Sequence, residues 1–321
     1  MPSKTPPAFR PLTGIYEPSA IQQLGDGRFL VVEDEKLHPF SLVSINIAGD
    51  IASTPVEQST KDDTESFWKL NDLEGLTADA AGYVYAITSH SRDSDGDEKK
   101  SRDKLLRFRI EANSVVEPQV CTDIKSALAS AHPELAAAAS QRHSKRDDGL
   151  NIEALEISAD QKQLLIGFRS PLLDDCAVIA SIENPAQIFE AGASPVISST
   201  LYLLDLGGNG LRGMAYIAAL SGYLIVAGPV DRTPMKFQLW FWNGQHNASP
   251  SRVSVQGLKD FERAEGACAA VLNGQQKIMI VSDDGNRKEN RYGQFILLDT
   301  DELTPEIAGP IKHIGTDLFS S

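Results

Sequence analysis

Apolar runs recur along this chain in pairs, and charge frames each pair. The first run of a pair follows a short polar or charged opening: E-P-S-A-I (Glu17 to Ile21), D-L-E-G-L (Asp72 to Leu76), N-I-E-A-L (Asn151 to Leu155), G-L-R-G-M (Gly210 to Met214) and A-E-G-A-C (Ala264 to Cys268). The second run ends in charge or a turn: F-L-V-V-E-D-E (Phe29 to Glu35), V-Y-A-I-T-S-H-S-R (Val84 to Arg92), L-L-I-G-F-R-S-P (Leu164 to Pro171), L-I-V-A-G-P-V-D-R (Leu224 to Arg232) and I-M-I-V-S-D-D-G-N (Ile278 to Asn286). Self-similarity at a period of about 55 residues, with strand-length apolar runs throughout, predicts an all-β chain folded as a β-propeller. Five pairs predict five blades. Six is the alternative, should the weak termini and the 110–150 region hide a further sheet.

Each unit reads as four short strands. The turn Gly25-Asp26-Gly27 between Ser19–Leu24 and Arg28–Glu33 is a strong hairpin signal. Thr122 to Ser140 is Ala-rich and predicts a helical insertion broken near Pro133, with Asp123 as its cap. Asn184-Pro185 predicts a second short helix to Glu190. The segment Phe9 to Tyr16 is the candidate for completing the last blade, and Ile307 to Ile314 reads as a poor final strand. Residues 1–321 are expected to form a single propeller domain around the helical insertion.

In a propeller the first strand of each blade lines the axial channel and the second runs back antiparallel to it. Strand starts and second-strand ends therefore share one face. Here that gathers Glu74, Glu153, Arg212 and Glu265 with Glu33, Asp34, His90, Arg92, Arg169, Asp231, Arg232, Asp283, Asp284, Asn286 and Arg287. Such a cluster carries a desolvation and repulsion cost that needs compensation. A hard cation such as Ca²⁺ on Glu74, Glu153, Glu265, Asp283 and Asp284 would supply it, with a small anionic molecule gripped by Arg92, Arg169, Arg212, Arg232 and Arg287. His90 or Glu153 would then serve as general base. The competing reading is structural: a channel of water and inter-blade Glu–Arg pairs that holds no ligand.

Composition narrows the partners. Hydrophobic content of 41% with 23% charged residues is globular. A net charge of -14 argues against nucleic acid and anionic membranes. Cys121, Cys176 and Cys268 have no metal or redox spacing and read as small buried hydrophobes. With no apolar signal region in Met1 to Leu12 and no long apolar run, the expected location is cytoplasmic. The six histidines lack zinc spacing, and no phosphate loop or nucleophile elbow appears. Asp93 to Glu98 starts like a calcium loop, but Lys104 stands where a bidentate Glu belongs, so an acidic mouth loop is expected instead.

Through D-L-E-G-L, L-L-I-G-F-R-S-P, L-L-D-L-G-G-N-G-L-R-G-M and L-I-V-A-G-P the chain resembles domain-of-unknown-function family 3616 over most of residues 12–300. The more specific motifs are Gly167 to Leu172 and Asp205 to Gly208. That resemblance implies a propeller and no assigned activity. More loosely, the repeated E-G-L and E-A-L openings resemble esterase-like phytase propellers, which implies an ester or phosphoester hydrolase, often with calcium. Calcium-dependent lactonase propellers are an analogy of fold alone. Two functional expectations follow: a metal-assisted hydrolase of small anionic esters, or a non-catalytic propeller that binds a ligand or protein partner at the same mouth.

Overall fold

The second run of each pair is apolar almost without alternation, as expected of a strand covered on both sides. The computed structural model shows how that cover arises. It describes residues 6–34, 38–46, 49–58, 65–142, 149–231, 236–258, 260–261 and 263–306, whose strands form five antiparallel sheets. The innermost strands are Pro18–Gln23, Leu73–Ala78, Asn151–Ile157, Gly210–Ile217 and Ala264–Leu272. Each pairs with the strand formed by the second run: Phe29–Glu33, Val84–Thr88, Leu164–Ser170, Gly222–Gly228 and Gln275–Ser282. The innermost strands contact one another in sequence order, and the fifth contacts the first. The sheets are therefore the five blades of a closed β-propeller.

Packing repeats with the blades. Five buried apolar clusters fill the five blade–blade interfaces. Between blades five and one, Ile21, Phe29 and Val31 meet Cys268, Met279 and Val281. Burial of such side chains stabilises the ring by roughly 1.5–3 kcal/mol each. Cys121, Cys176 and Cys268 are free thiols, and the first and last are buried. Closure comes from the N-terminal segment: Arg10–Pro11 pairs antiparallel with Gln294–Leu298 as the outermost strand of blade five. Leu303–Pro305 adds a fifth strand to blade four. The expected strand 307–314 lies outside the described residues.

The hairpin at Gly25-Asp26-Gly27 forms as its residues dictate. Gly27 sits at φ 88°, and the Asp26 carboxylate accepts the Arg28 N–H at 3.0 Å. The helical insertion splits into Ile124–Ala131 and Pro133–Ser140, with Pro133 opening the second helix. Its Ile124, Leu128 and Leu135 join the cluster between blades two and three. Asp123 does not cap it: its backbone is at φ -96°, ψ 7°, not extended, and its side chain makes no capping bond.

One irregularity occurs in all five blades. Pairing between the first and second strands slips by one residue near the start of each first strand, leaving Ser19, Glu74, Glu153, Arg212 and Glu265 as the extra, bulged residues. The fifth opening is therefore Arg263-Ala264-Glu265-Gly266-Ala267, one residue earlier than the apolar pattern placed it. A small residue follows every bulge: Ala20, Gly75, Ala154, Gly213 and Gly266. A Cβ on Gly213 would lie 2.2 Å from the Glu265 carbonyl oxygen, and one on Gly266 would lie 2.7 Å from Ala20 Cα. Both obstacles are backbone of the next innermost strand. Gly213→Ala is accordingly expected to cost roughly 2–4 kcal/mol in denaturant unfolding. Gly25→Ala, which has nothing within 4 Å, should stay within about 0.5 kcal/mol of wild type.

Candidate functional site

A bulge turns its side chain out of the alternating pattern, and here five bulges stand around one axis. All five bulged residues line one cavity of about 270 Å³ at the channel mouth. Glu17, Asp34, Arg169 and Asp283 complete the lining. Six carboxyl groups thus face two guanidiniums.

Arg212 is the centre of the bonding. Its Nη1 donates to Glu153 Oε2 at 2.9 Å and to Glu265 Oε1 at 3.2 Å, and its Nη2 donates to the Pro229 carbonyl at 3.1 Å. The guanidinium stacks 5.3 Å from the Phe237 ring centroid. Glu153 also accepts from Arg169 Nη1 at 3.2 Å and Asn151 Nδ2 at 3.0 Å. Glu74 stands apart from this network. Among the described residues it takes part in no hydrogen bond or ion pair.

Four of these carboxyl groups, Asp34, Glu74, Glu265 and Asp283, hold protons unusually well. Burial pushes Glu74 well above its ordinary value, and the neighbouring Glu153, Asp72, Glu265 and Asp34 push it further. Glu265 is raised by burial and by Glu153 and Asp283, against the opposing pull of Arg212. Burial raises Asp34 to about 6, with Asp72 adding to it, and raises Asp283 to about 6, with Glu17 adding to it. Among the described residues no three His, Cys, Asp or Glu side chains already stand in metal-ligating positions.

The mouth gathers Asp34, Glu74, Glu153, Glu265, Asp283, Arg169 and Arg212 of the residues expected from sequence. Others lie elsewhere. Asp284 accepts from Ser282 Oγ at 2.5 Å and Gln294 Nε2 at 3.3 Å, and does not line the cavity. Arg287 lies over the Tyr16 ring, with Nη2 3.9 Å from Glu33. Arg92 bonds Glu98 and the Ala139 and Gly96 carbonyls. His90 is buried, and with Arg92 it borders a separate cavity. Arg232 lies outside the described residues. The acidic loop closes on itself: Asp93 accepts the Asp95 and Asp97 N–H groups and pairs with Lys99 at 2.9 Å. Glu17 and Ser19 were not among the expected residues. The signal for Ser19 was the small residue that follows it, as in the other four openings.

Comparison with known proteins places this architecture. The family model "Protein of unknown function (DUF3616)" matches residues 126–299, from the helical insertion through blade five. The chain belongs to this family. No curated protein matches it. Among solved structures it is similar to a putative oxidoreductase (glucose dehydrogenase) of Thermus thermophilus, at 14% identity and TM-score 0.48, covering 91% of this chain and 100% of that one. It is also similar to the PQQ-bound aldose sugar dehydrogenase of Streptomyces coelicolor, at 12% identity and TM-score 0.43, covering 92% and 99%. A gluconolactonase of Xanthomonas campestris gives 9% identity and TM-score 0.41, covering 92% and 95%. Likeness at this level carries no argument about the family's chemistry. No helix among the described residues is long and apolar enough to cross a membrane.

The raised carboxyl groups give a signed pH dependence. Between about pH 4 and 6 folded Asp283 holds a proton that the unfolded chain releases, so its contribution to stability falls as pH rises through that window. Asp283→Asn removes the effect. From pH 4 to 7 the variant should gain roughly 1 kcal/mol on wild type, after allowance for solvent screening of a half-buried group. Paired urea titrations across that range measure it.

Proposed function

We propose that the channel mouth is the working site of this protein and that it takes a small ester together with a divalent cation, hydrolysing the ester. The observation that carries this reading is the charge imbalance of the mouth, where six carboxyl groups face two guanidiniums and Glu74 lacks any partner among the described residues. Glu153 and Glu265 are largely satisfied by Arg212, which leaves Glu74, Asp34 and Asp283 as the groups with affinity to spare. A cation such as Ca²⁺ would be held by these three, with water and ligand oxygens completing its shell, and would supply polarisation of the ester oxygen. Arg169 keeps Nη2 free of hydrogen bonds among the described residues and would hold an anionic group of the substrate. An ionised carboxylate of the mouth would take the proton from water.

A second reading, binding without turnover, is favoured by one specific observation. Both terminal nitrogens of Arg212 are committed, Nη1 to Glu153 and Glu265 and Nη2 to the Pro229 carbonyl, as in a clamp that holds blades together. The two readings part in one experiment. Calorimetric titration with CaCl₂ and MnCl₂ is followed by assays on a phosphoester, a carboxylester and a lactone. The hydrolase reading expects cation binding weakened about tenfold in Glu74→Gln, together with turnover of one ester class that needs the cation. Binding with no turnover supports the binder. Neither cation binding nor turnover overturns both.

A further inference from the structure

One further carboxyl group, that of Glu156, lies deeper in the ring than the mouth. It is buried, and no Lys, Arg or His among the described residues forms an ion pair with it. Three hydrogen bonds meet its charge instead. Oε1 accepts from Thr77 Oγ1 at 2.7 Å and from Ile157 N at 2.8 Å, and Oε2 accepts from Tyr216 N at 3.0 Å. Thr77 belongs to the innermost strand of blade two, Glu156 and Ile157 to that of blade three, and Tyr216 to that of blade four. The innermost strands of blades three and four are thus bonded at two levels, by Arg212 and Glu153 at the mouth and by Tyr216 and Glu156 beneath it.

All three partners present a hydrogen to Glu156, an arrangement that suits the ionised form, and the two backbone N–H groups among them cannot reverse. A neutral carboxyl brings a fourth hydrogen into the same space, so one bond has to weaken. Oε1 is held by two short bonds and Oε2 by the single longest one, which makes Oε2 the more basic oxygen. A proton on Oε2 turns it into a hydroxyl whose own hydrogen competes with the Tyr216 N–H, donor against donor. Burial raises the Glu156 pKa to about 7, against the opposing pull of the Thr77, Tyr216 and Ile157 donors. The titratable groups facing it are Tyr223 on the second strand of blade four and Cys268 on the innermost strand of blade five. Burial pushes both up to about 12, with the Glu156 charge adding to it, so neither changes charge near neutrality. The charged side chains of the surrounding innermost strands, Glu74, Glu153, Arg212 and Glu265, line the mouth.

We infer that Glu156 is a proton-operated latch between blades three and four: ionised, it holds the Tyr216 N–H through Oε2, and on taking up a proton at that oxygen it lets the bond go. The bonds through Oε1 remain, so the release is confined to the side of blade four. Acidification loosens the junction beneath Arg212 and Glu153 without opening the ring, because apolar packing holds this blade interface. Nothing in this assignment depends on the hydrolase reading of the mouth.

The test follows the Tyr216 and Ile157 amides of the full chain by ¹H–¹⁵N NMR and hydrogen exchange between about pH 5 and 9. Both amides bond the carboxyl group, so both are expected to shift with one midpoint near neutrality. On acidification Tyr216 alone should lose exchange protection, by about tenfold after correction for the intrinsic rate. Glu156→Gln, neutral and of the same shape, should fix both resonances across the range and leave Tyr216 at its lower protection. Unchanged protection of Tyr216 in the wild type overturns the release. Equal losses at Tyr216 and Ile157 mark a general opening of the strands and overturn the latch, as do shifts that persist in Glu156→Gln. The comparison of the two wild-type amides decides the matter even where the variant fails to fold.

Discussion

The ring depends on backbone meeting backbone, where each innermost strand passes the next at its bulge. Gly213 against the Glu265 carbonyl and Gly266 against Ala20 leave no room for a side chain. That spacing lets five strands crowd one axis, and it makes the residue before each small one the bulge. Architecture and chemistry are thereby tied together. The contact that closes the ring also turns Ser19, Glu74, Glu153, Arg212 and Glu265 toward one opening.

The electrostatic consequence follows directly. Three glutamates brought to one axis repel one another, and burial raises the cost of their charge. Arg212, the cation among the five, meets part of that cost by bonding Glu153 and Glu265 through a single nitrogen. Glu74 is left to meet it by holding a proton or by taking a cation. Deeper in the ring, Glu156 shows how a buried carboxyl is made secure: it accepts from Thr77 Oγ1 at 2.7 Å, Ile157 N at 2.8 Å and Tyr216 N at 3.0 Å, spanning three innermost strands. Glu156 has an acceptor's full set of donors, whereas Glu74 has none among the described residues. This contrast in bonding supports the proposal that the mouth is a working site.

Much of this was legible in the sequence because the second strands are covered on both faces and so read as unbroken apolar runs. The helices were legible from Ala content and from Pro133 and Pro185. The bulge was not legible, since pairing register is a property of two strands together. Hence the fifth opening was read one residue out of step, and Ser19 did not register beside glutamates and an arginine. Strand ends were the least legible feature. His90 leaves its strand in a left-handed conformation, Asp284 is captured by Ser282 and Gln294, and Arg287 begins a short 3-10 turn beside Tyr16. Local backbone turns of this kind decide where a charged side chain goes, and they lie outside what apolar spacing encodes.

The account rests on carboxyl groups being forced together at the axis by the bulges. The most direct measurement is a ¹³C-carboxyl NMR titration of the glutamates, with Glu74→Gln assigning the decisive resonance. The account predicts that Glu74 is among the glutamates titrating well above the ordinary value of 4.5, through burial and its acidic neighbours, and that its resonance is lost in the variant. If Glu74 titrates at an ordinary value in the cation-free protein, the carboxyl groups do not converge as described, and the central claim is contradicted.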